Sequence, residues 1–180
     1  ESIVCNNEHM ADDIRQMVEV FCPYFRGTVE FYDKEEDIYD YYDIGEDMSA
    51  IYSPRAELPS GGFLMIEKTE ALTAIDVNTG KFIGTDNRED TVYRTNLEAV
   101  KEIARQLRLR NIGGIIVVDF IDMSDPEHKV SVVEALKNEL FFDRVKTRVL
   151  DMSGLGLVEI TRKKVGKELG SVSQGKCPFC

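Results

Sequence analysis

The chain has 180 residues, 43% of them hydrophobic and 31% charged, with a formal net charge of -11 at pH 7. Those proportions fit a soluble globular protein, and the length is enough to bury a real core. No apolar run approaches the roughly 20 residues that cross a bilayer as a helix, and the acidic total argues at first against a nucleic-acid binder.

In chain order, Ser2 to Cys5 reads as a short strand. Glu8 to Phe21 carries Met10, Ile14, Met17, Val18 and Phe21 at helical spacing and is predicted as an amphipathic helix. Cys22-Pro23 ends it. Thr28 to Tyr32 is a second strand, and the acidic, tyrosine-rich stretch after it begins as a loop. Ile44 to Ile51 reads as a helix stopped at Ser53-Pro54. The composition then shifts. Arg55 to Leu58 and Gly62 to Glu67 are predicted strands joined by the turn Pro59-Ser60-Gly61-Gly62, and Leu72 to Val77 is another. Thr91 to Arg110 is a long helix with Leu97, Val100, Ile103, Ala104 and Leu107 on its apolar face. Ile115 to Phe120 reads as a buried strand. Ser124-Asp125-Pro126-Glu127 resembles a capping box opening a helix to about Phe142. Arg144 to Leu150 and Leu157 to Thr161 close the chain as strands. The expected fold class is α/β (α+β): a mixed β-sheet with packed helices.

Charge is unevenly placed. Residues 1–60 hold 15 acids and 4 bases, whereas residues 61–180 hold 18 of each. From Asp143 to Cys180 there are 8 bases and 4 acids. The question of a partner is therefore regional, and the total misleads. The first residue is Glu1 and no basic, apolar leader is visible. Cys5 and Cys22 lie in apolar surroundings and read as small core residues. A secreted disulfide framework is not expected from this cysteine spacing, and the expected compartment is the cytoplasm.

Two strands end in an acid in the same manner. Leu72-Thr73-Ala74-Ile75 runs into Asp76, and Ile115-Ile116-Val117-Val118 runs into Asp119. A carboxylate at the end of an apolar strand is costly unless something satisfies it. If the strands are neighbours the two acids face each other, and a divalent cation would relieve their repulsion. Hard oxygen ligands suit Mg²⁺, which keeps several waters and takes one or two carboxylates. Asn78 shares the face of Asp76 if the strand continues, where it could hold a water or a phosphate oxygen. The alternative is that both acids cap neighbouring turns. Asp122 is expected to bond locally at the strand–helix turn. Lys81 and Arg88 flank the turn after Asp76 and are candidate phosphate-binding bases, or ordinary solvated charges. Arg105, Arg108 and Arg110 read as solvated. Neither His9 nor His128 has a nucleophile nearby in sequence. No serine-hydrolase, zinc-protease, Walker or dinucleotide-binding motif occurs. Cys177-Pro178-Phe179-Cys180 offers two thiolates where a structural Zn²⁺ takes four ligands. A redox dithiol or an inert tail are the alternatives.

Several stretches together resemble the ribonuclease E/G family. They are Leu58-Pro59-Ser60-Gly61-Gly62, Thr69 to Asn78, Thr95-Asn96-Leu97-Glu98-Ala99, Glu102 to Arg110, Gly113-Gly114 leading to Asp119-Phe120-Ile121-Asp122-Met123, Gly156-Leu157-Val158-Glu159 and the terminal C-P-x-C. The likeness is dense over about Leu58 to Cys180 and looser over residues 1–57. It implies a deoxyribonuclease-I-like catalytic subdomain over residues 53–176. A partial RNase H-like subdomain would occupy residues 1–52, and half of a zinc-link motif residues 177–180. The family's S1 domain and 5′-sensor region would lie upstream. The family's two metal-binding aspartates fall on Asp76 and Asp119, its supporting asparagine on Asn78, and its inter-subunit zinc link on Cys177 and Cys180. The implied activity is Mg²⁺-dependent cleavage of single-stranded RNA by a zinc-linked homodimer or higher oligomer. Gly154 replaces a base that some relatives carry, so no RNA contact is assigned there. The rival expectations are a non-catalytic dimerisation or RNA-binding module, and a phosphoesterase acting on another ester with the same aspartates.

Overall fold

The computed structural model describes residues 2–80 and 88–166. The chain divides into two compact units, the first ending at Met48 and the second beginning at Ser49.

In the first unit, β1 (Ser2–Cys5) and β2 (Thr28–Phe31) pair in parallel, with helix α1 (Glu8–Phe21) connecting them. Asn7 caps α1 by accepting the Met10 N–H at 3.0 Å, as a short polar side chain does for an orphan donor of the first turn. Arg15 reaches from α1 to donate to the Val29 carbonyl at 3.1 Å. Ala11 is buried and Ile14 and Val18 are half-buried, whereas Met10, Met17 and Phe21 are exposed. The expected apolar stripe is thus only partly covered. The expectation of two core cysteines is also corrected. Cys5 is half-buried and Cys22 is exposed, because Cys22 is the C-cap of α1, where the chain turns away from the packed part of the helix. The short helix α2 (Ile38–Tyr41) follows, and a second short helix, α3 (Gly45–Ala50), ends in the second unit.

The second unit is a six-stranded mixed sheet. Its strands are β3 (Arg55–Glu57), β4 (Phe63–Lys68), β5 (Leu72–Asn78), β6 (Gly114–Asp119), β7 (Thr147–Val149) and β8 (Leu157–Arg162), in the order β3-β4-β5-β6-β8-β7. The pair β5–β6 is parallel and the other pairs are antiparallel. Parallel neighbours need a long crossover, and helix α4 (Arg88–Leu109) lies within it. Helix α5 (Pro126–Phe141) follows β6. Side chains alternate along each strand. Ile75, Val77, Ile116, Val118, Val158 and Ile160 are buried in one cluster with Ala99, Ile103 and Leu107 of α4 and Val132 and Leu136 of α5. Both long helices therefore cover the same face. The intervening positions, Ala74, Asp76, Asn78, Val117, Asp119 and Glu159, point to the other face.

Boundaries moved by a few residues. The long helix begins at Arg88 rather than Thr91, with Glu89 and Asp90 in its first turn, where carboxylates meet the positive end of the helix dipole. The cap of α5 is Asp125, one residue later than the box expected at Ser124; its carboxylate accepts the Glu127 N–H at 2.8 Å. Arg110 is not simply solvated: it donates to Gln106 at 2.6 Å and to the Ala50 carbonyl at 3.3 Å.

Candidate active site

The parallel pair β5–β6 puts the two strand-ending acids side by side. The register runs Leu72↔Ile115 through Ile75↔Val118 to Asp76↔Asp119. Paired residues on neighbouring strands share a face about 4.8 Å apart, so the two carboxylates leave the sheet together, on the face away from the helices. Asn78 follows on the same face, and its amide donates to Asp76 Oδ2 at 2.8 Å. Asp76, Asn78 and Asp119 thus form one cluster at the carboxyl ends of the two parallel strands.

The electrostatics agree with that crowding. Burial raises the pKa of Asp119 above the ordinary aspartate value, and the charges of Asp76 and then Asp122 raise it further. Like charges that close disfavour a second ionisation. Asp122 therefore belongs to the electrostatic neighbourhood of the pair. It also borders the β7–β8 turn: a Cβ on Gly156, whose φ is +82°, would stand 3.3 Å from Asp122 Oδ1. The candidate donor set is the two carboxylates of Asp76 and Asp119, with Asn78 bonded beside them. That suits a hard cation that retains waters, and the residues present fit Mg²⁺. Among the described residues, no three or more His, Cys, Asp or Glu side chains gather into a ligand set complete enough for an ion held by protein alone.

The loop from Phe120 to Asp125 is held by two residues that sequence reasoning did not single out. Asn96, in the third turn of α4, is fully buried. Its amide nitrogen donates to the Ile121 carbonyl at 2.9 Å, and its amide oxygen accepts the Ile121 N–H at 3.1 Å. Glu89 accepts the N–H of Ser124 at 3.0 and 3.1 Å and that of Asp125 at 3.2 Å. These backbone donors hold its pKa below the usual glutamate value. His128 Nδ1 lies 3.3 Å from the same carboxylate, and its ring stacks on Tyr93 with centroids 4.1 Å apart. His128 is thereby part of the scaffold beneath the loop. Arg88 stands exposed at the start of α4. Lys81, Cys177 and Cys180 lie outside the described residues.

The sequence profile of the Ribonuclease E/G family matches residues 1–165. The chain belongs to the Ribonuclease E/G family. Ribonuclease G of Escherichia coli (strain K12) is 44% identical over 160 residues, which are 89% of this chain and 33% of that protein. Ribonuclease G of Haemophilus influenzae is 41% identical over 180 residues, 100% of this chain and 37% of that protein. Ribonuclease E of Nostoc sp. (strain PCC 7120) is 46% identical over 143 residues, 79% of this chain and 21% of that protein. The chain therefore spans about a third of the length of the ribonucleases G it matches. Among the described residues, no helix is long and apolar enough to cross a membrane.

Proposed function

We propose that this chain carries the hydrolytic centre of an endoribonuclease that cleaves single-stranded RNA, with Asp76 and Asp119 holding Mg²⁺. The observation that supports it best is the register Asp76↔Asp119 across the parallel pair β5–β6. When bound, Mg²⁺ lowers the pKa of a water nucleophile and offsets charge on the scissile phosphate. The two carboxylates supply the negative field that holds the cation, and the burial and repulsion that raise the pKa of Asp119 favour filling the site. Asn78 fixes the orientation of Asp76 through one amide hydrogen. Its second amide hydrogen and its oxygen remain to orient the phosphate or the attacking water. Hydrolysis leaves a 5′-phosphate and a 3′-hydroxyl. Unpaired RNA is the expected substrate class, because its bases can be splayed out for the backbone to enter the site. Lys81 and Arg88, on the segment that follows the Asn78 turn, would bind flanking phosphates. RNA processing and decay in the cytoplasm is the setting this reading implies.

The terminal Cys177 and Cys180 would supply two thiolates to a structural Zn²⁺ completed by the same pair from a second chain. Metal analysis with native mass spectrometry of the full-length protein tests that part. One Zn²⁺ per two chains is expected; a dimer that survives chelation overturns it. For the catalytic part, Asp76→Asn and Asp119→Asn are each expected to abolish Mg²⁺-dependent cleavage of a labelled RNA oligomer while the circular dichroism spectrum stays that of the parent. Parent rates in either variant would sink the two-aspartate site. Cleavage of a non-nucleic phosphodiester at a rate matching RNA would favour a general phosphoesterase.

A further inference from the structure

Asp119 ends a strand, yet the chain after it must hold its direction without a ladder to follow. β6 pairs with β5 up to Asp76↔Asp119 and with β8 up to Asp119↔Leu157. Beyond that residue the described strands give the loop no further rung. Asn96 supplies one. Its side-chain amide both donates to and accepts from the Ile121 backbone, the two bonds that a neighbouring strand would make. A primary amide is the side-chain group that imitates a peptide in this way. The bonded residue, Ile121, lies between Asp119 and Asp122, so fixing its backbone fixes the spacing of both carboxylates. Asn96 is fully buried, and Phe120 and Met123 on either side of the bonded segment are buried with it. An amide buried to that depth keeps its orientation only while both bonds are made.

We infer that Asn96 is a positioning residue for the metal site: its amide acts as a surrogate strand that sets the angle of Asp119 and the distance from Asp119 to Asp122. The inference rests on the proposed Asp76–Asp119 site. Asn96 is buried with both its bonds on the Ile121 backbone, so its loss would reach the reaction through the carboxylates it positions. Supporting groups of metal sites commonly change affinity or activity by about 10–100-fold.

The test uses full-length protein with Mn²⁺ as the probe, its binding followed by electron paramagnetic resonance without RNA. Asn96→Asp keeps the acceptor for the Ile121 N–H but sets a carboxylate against the Ile121 carbonyl; Asn96→Ala removes both bonds. Gln106→Ala, also buried in α4 but ten residues further along, controls for general helix damage. The expected result is Mn²⁺ affinity weakened about tenfold in the Asn96 variants, with Gln106→Ala close to the parent. In cleavage assays at saturating Mg²⁺, kcat falls and KM for RNA stays near the parent value. If Asn96→Ala fails to fold, Asn96→Asp decides. Parent Mn²⁺ affinity in a folded Asn96→Asp protein overturns the inference. Asp76→Asn in the same titration separates the two ideas. If it too binds Mn²⁺ like the parent, the site itself was misread; if it loses Mn²⁺ while Asn96→Asp keeps it, only the positioning role fails.

Discussion

Arg162 ends β8 with its side chain 3% exposed, facing an Asp143 side chain that is 2% exposed. Nε donates to Asp143 Oδ2 at 2.8 Å, Nη2 to Oδ1 at 3.2 Å, and Nη1 to the Ile112 carbonyl at 2.7 Å. Burial alone would raise the pKa of Asp143, but the bonds from Arg162 and the Val145 N–H outweigh it and bring it below the ordinary value. A carboxylate with a depressed folded pKa stabilises the fold fully above its unfolded value, near 4, and loses that contribution as the pH falls through the folded value. Asp143→Ala strands a buried guanidinium and is expected to cost about 3–5 kcal/mol at pH 7 by urea denaturation. The gap between variant and parent should narrow as the series is carried below pH 4. Asp119 has the opposite sign. Its ionised form is disfavoured by partial desolvation and by Asp76 and Asp122, but the residue is exposed and solvent screens the repulsion, so Asp119→Asn should raise Tm by at most about 2 °C in chelator at pH 7. Added Mg²⁺ should then stabilise only the parent, since a ligand stabilises the state that binds it. An unchanged Tm difference with and without Mg²⁺ would count against the metal site. Asp76 and Asp119 were legible in the sequence because each interrupts an apolar strand where a charge is costly. Asn96 was not, because a polar residue on a long helix is ordinary and only the tertiary structure reveals which ones turn inward; Glu89 was not, because it fell outside the helix expected from Thr91.

At the scale of elements, two tight turns meet beside the candidate site. A Cβ on Gly62 would lie 2.6 Å from the Asn78 carbonyl oxygen, and one on Gly80, at φ +64°, would lie 2.3 Å from the Gly61 carbonyl oxygen. The Leu58–Gly62 turn is thus pressed onto the turn that carries Asn78, and neither backbone has a flexible atom to yield. Gly61 has φ +87° but open space around its missing Cβ. Gly61→Ala should therefore show only the conformational cost, whereas Gly80→Ala adds a backbone clash and should lose at least about 1 kcal/mol more. The contrast is read by thermal denaturation, and the clash should also weaken Mn²⁺ binding by shifting Asn78. Equal losses in the two variants would show that the turns can part freely. The strands and long helices of this unit were legible from period-2 and period-3.6 patterning, and the turns from their glycine and proline. What patterning could not supply was the order of strands in the sheet. Register Asp76↔Asp119 is a non-local choice, fixed by which buried faces pack under α4 and α5. Edge strand β7 proved shorter than the apolar and basic run that announced it, since it has a single ladder partner, β8.

At the scale of the whole molecule, charge is partitioned by unit. Residues 1–48 hold 14 acids and 3 bases, and residues 49–180 hold 19 of each. The entire -11 therefore belongs to the first unit, and the second unit, which carries Asp76 and Asp119, is neutral overall with local excesses. One such excess lies in β7 and just before it, where Arg144, Lys146 and Arg148 are exposed, and the Lys163 N–H bonds the Lys146 carbonyl. Basic residues on an edge strand also discourage pairing with another sheet, so their presence alone does not identify a substrate contact. Arg148 is the informative member. It pairs with Thr161, which alternates with the buried Ile160 and Arg162 and so shares the open face with Asp119. Leu157, the partner of Asp119 on β8, is four residues from Thr161, about 13 Å along the strand. A single-stranded backbone running from the candidate site over this face would pass within reach of the Arg148 guanidinium. Each phosphate neutralised on a single strand contributes about 0.7 to the slope of log affinity against log salt. Arg148→Ala should thus weaken RNA binding uniformly across sequences and flatten that slope by about 0.7. Binding is measured in the Asp119→Asn background, so that no cleavage intervenes. An unchanged slope with raised self-association would assign Arg148 to edge protection alone.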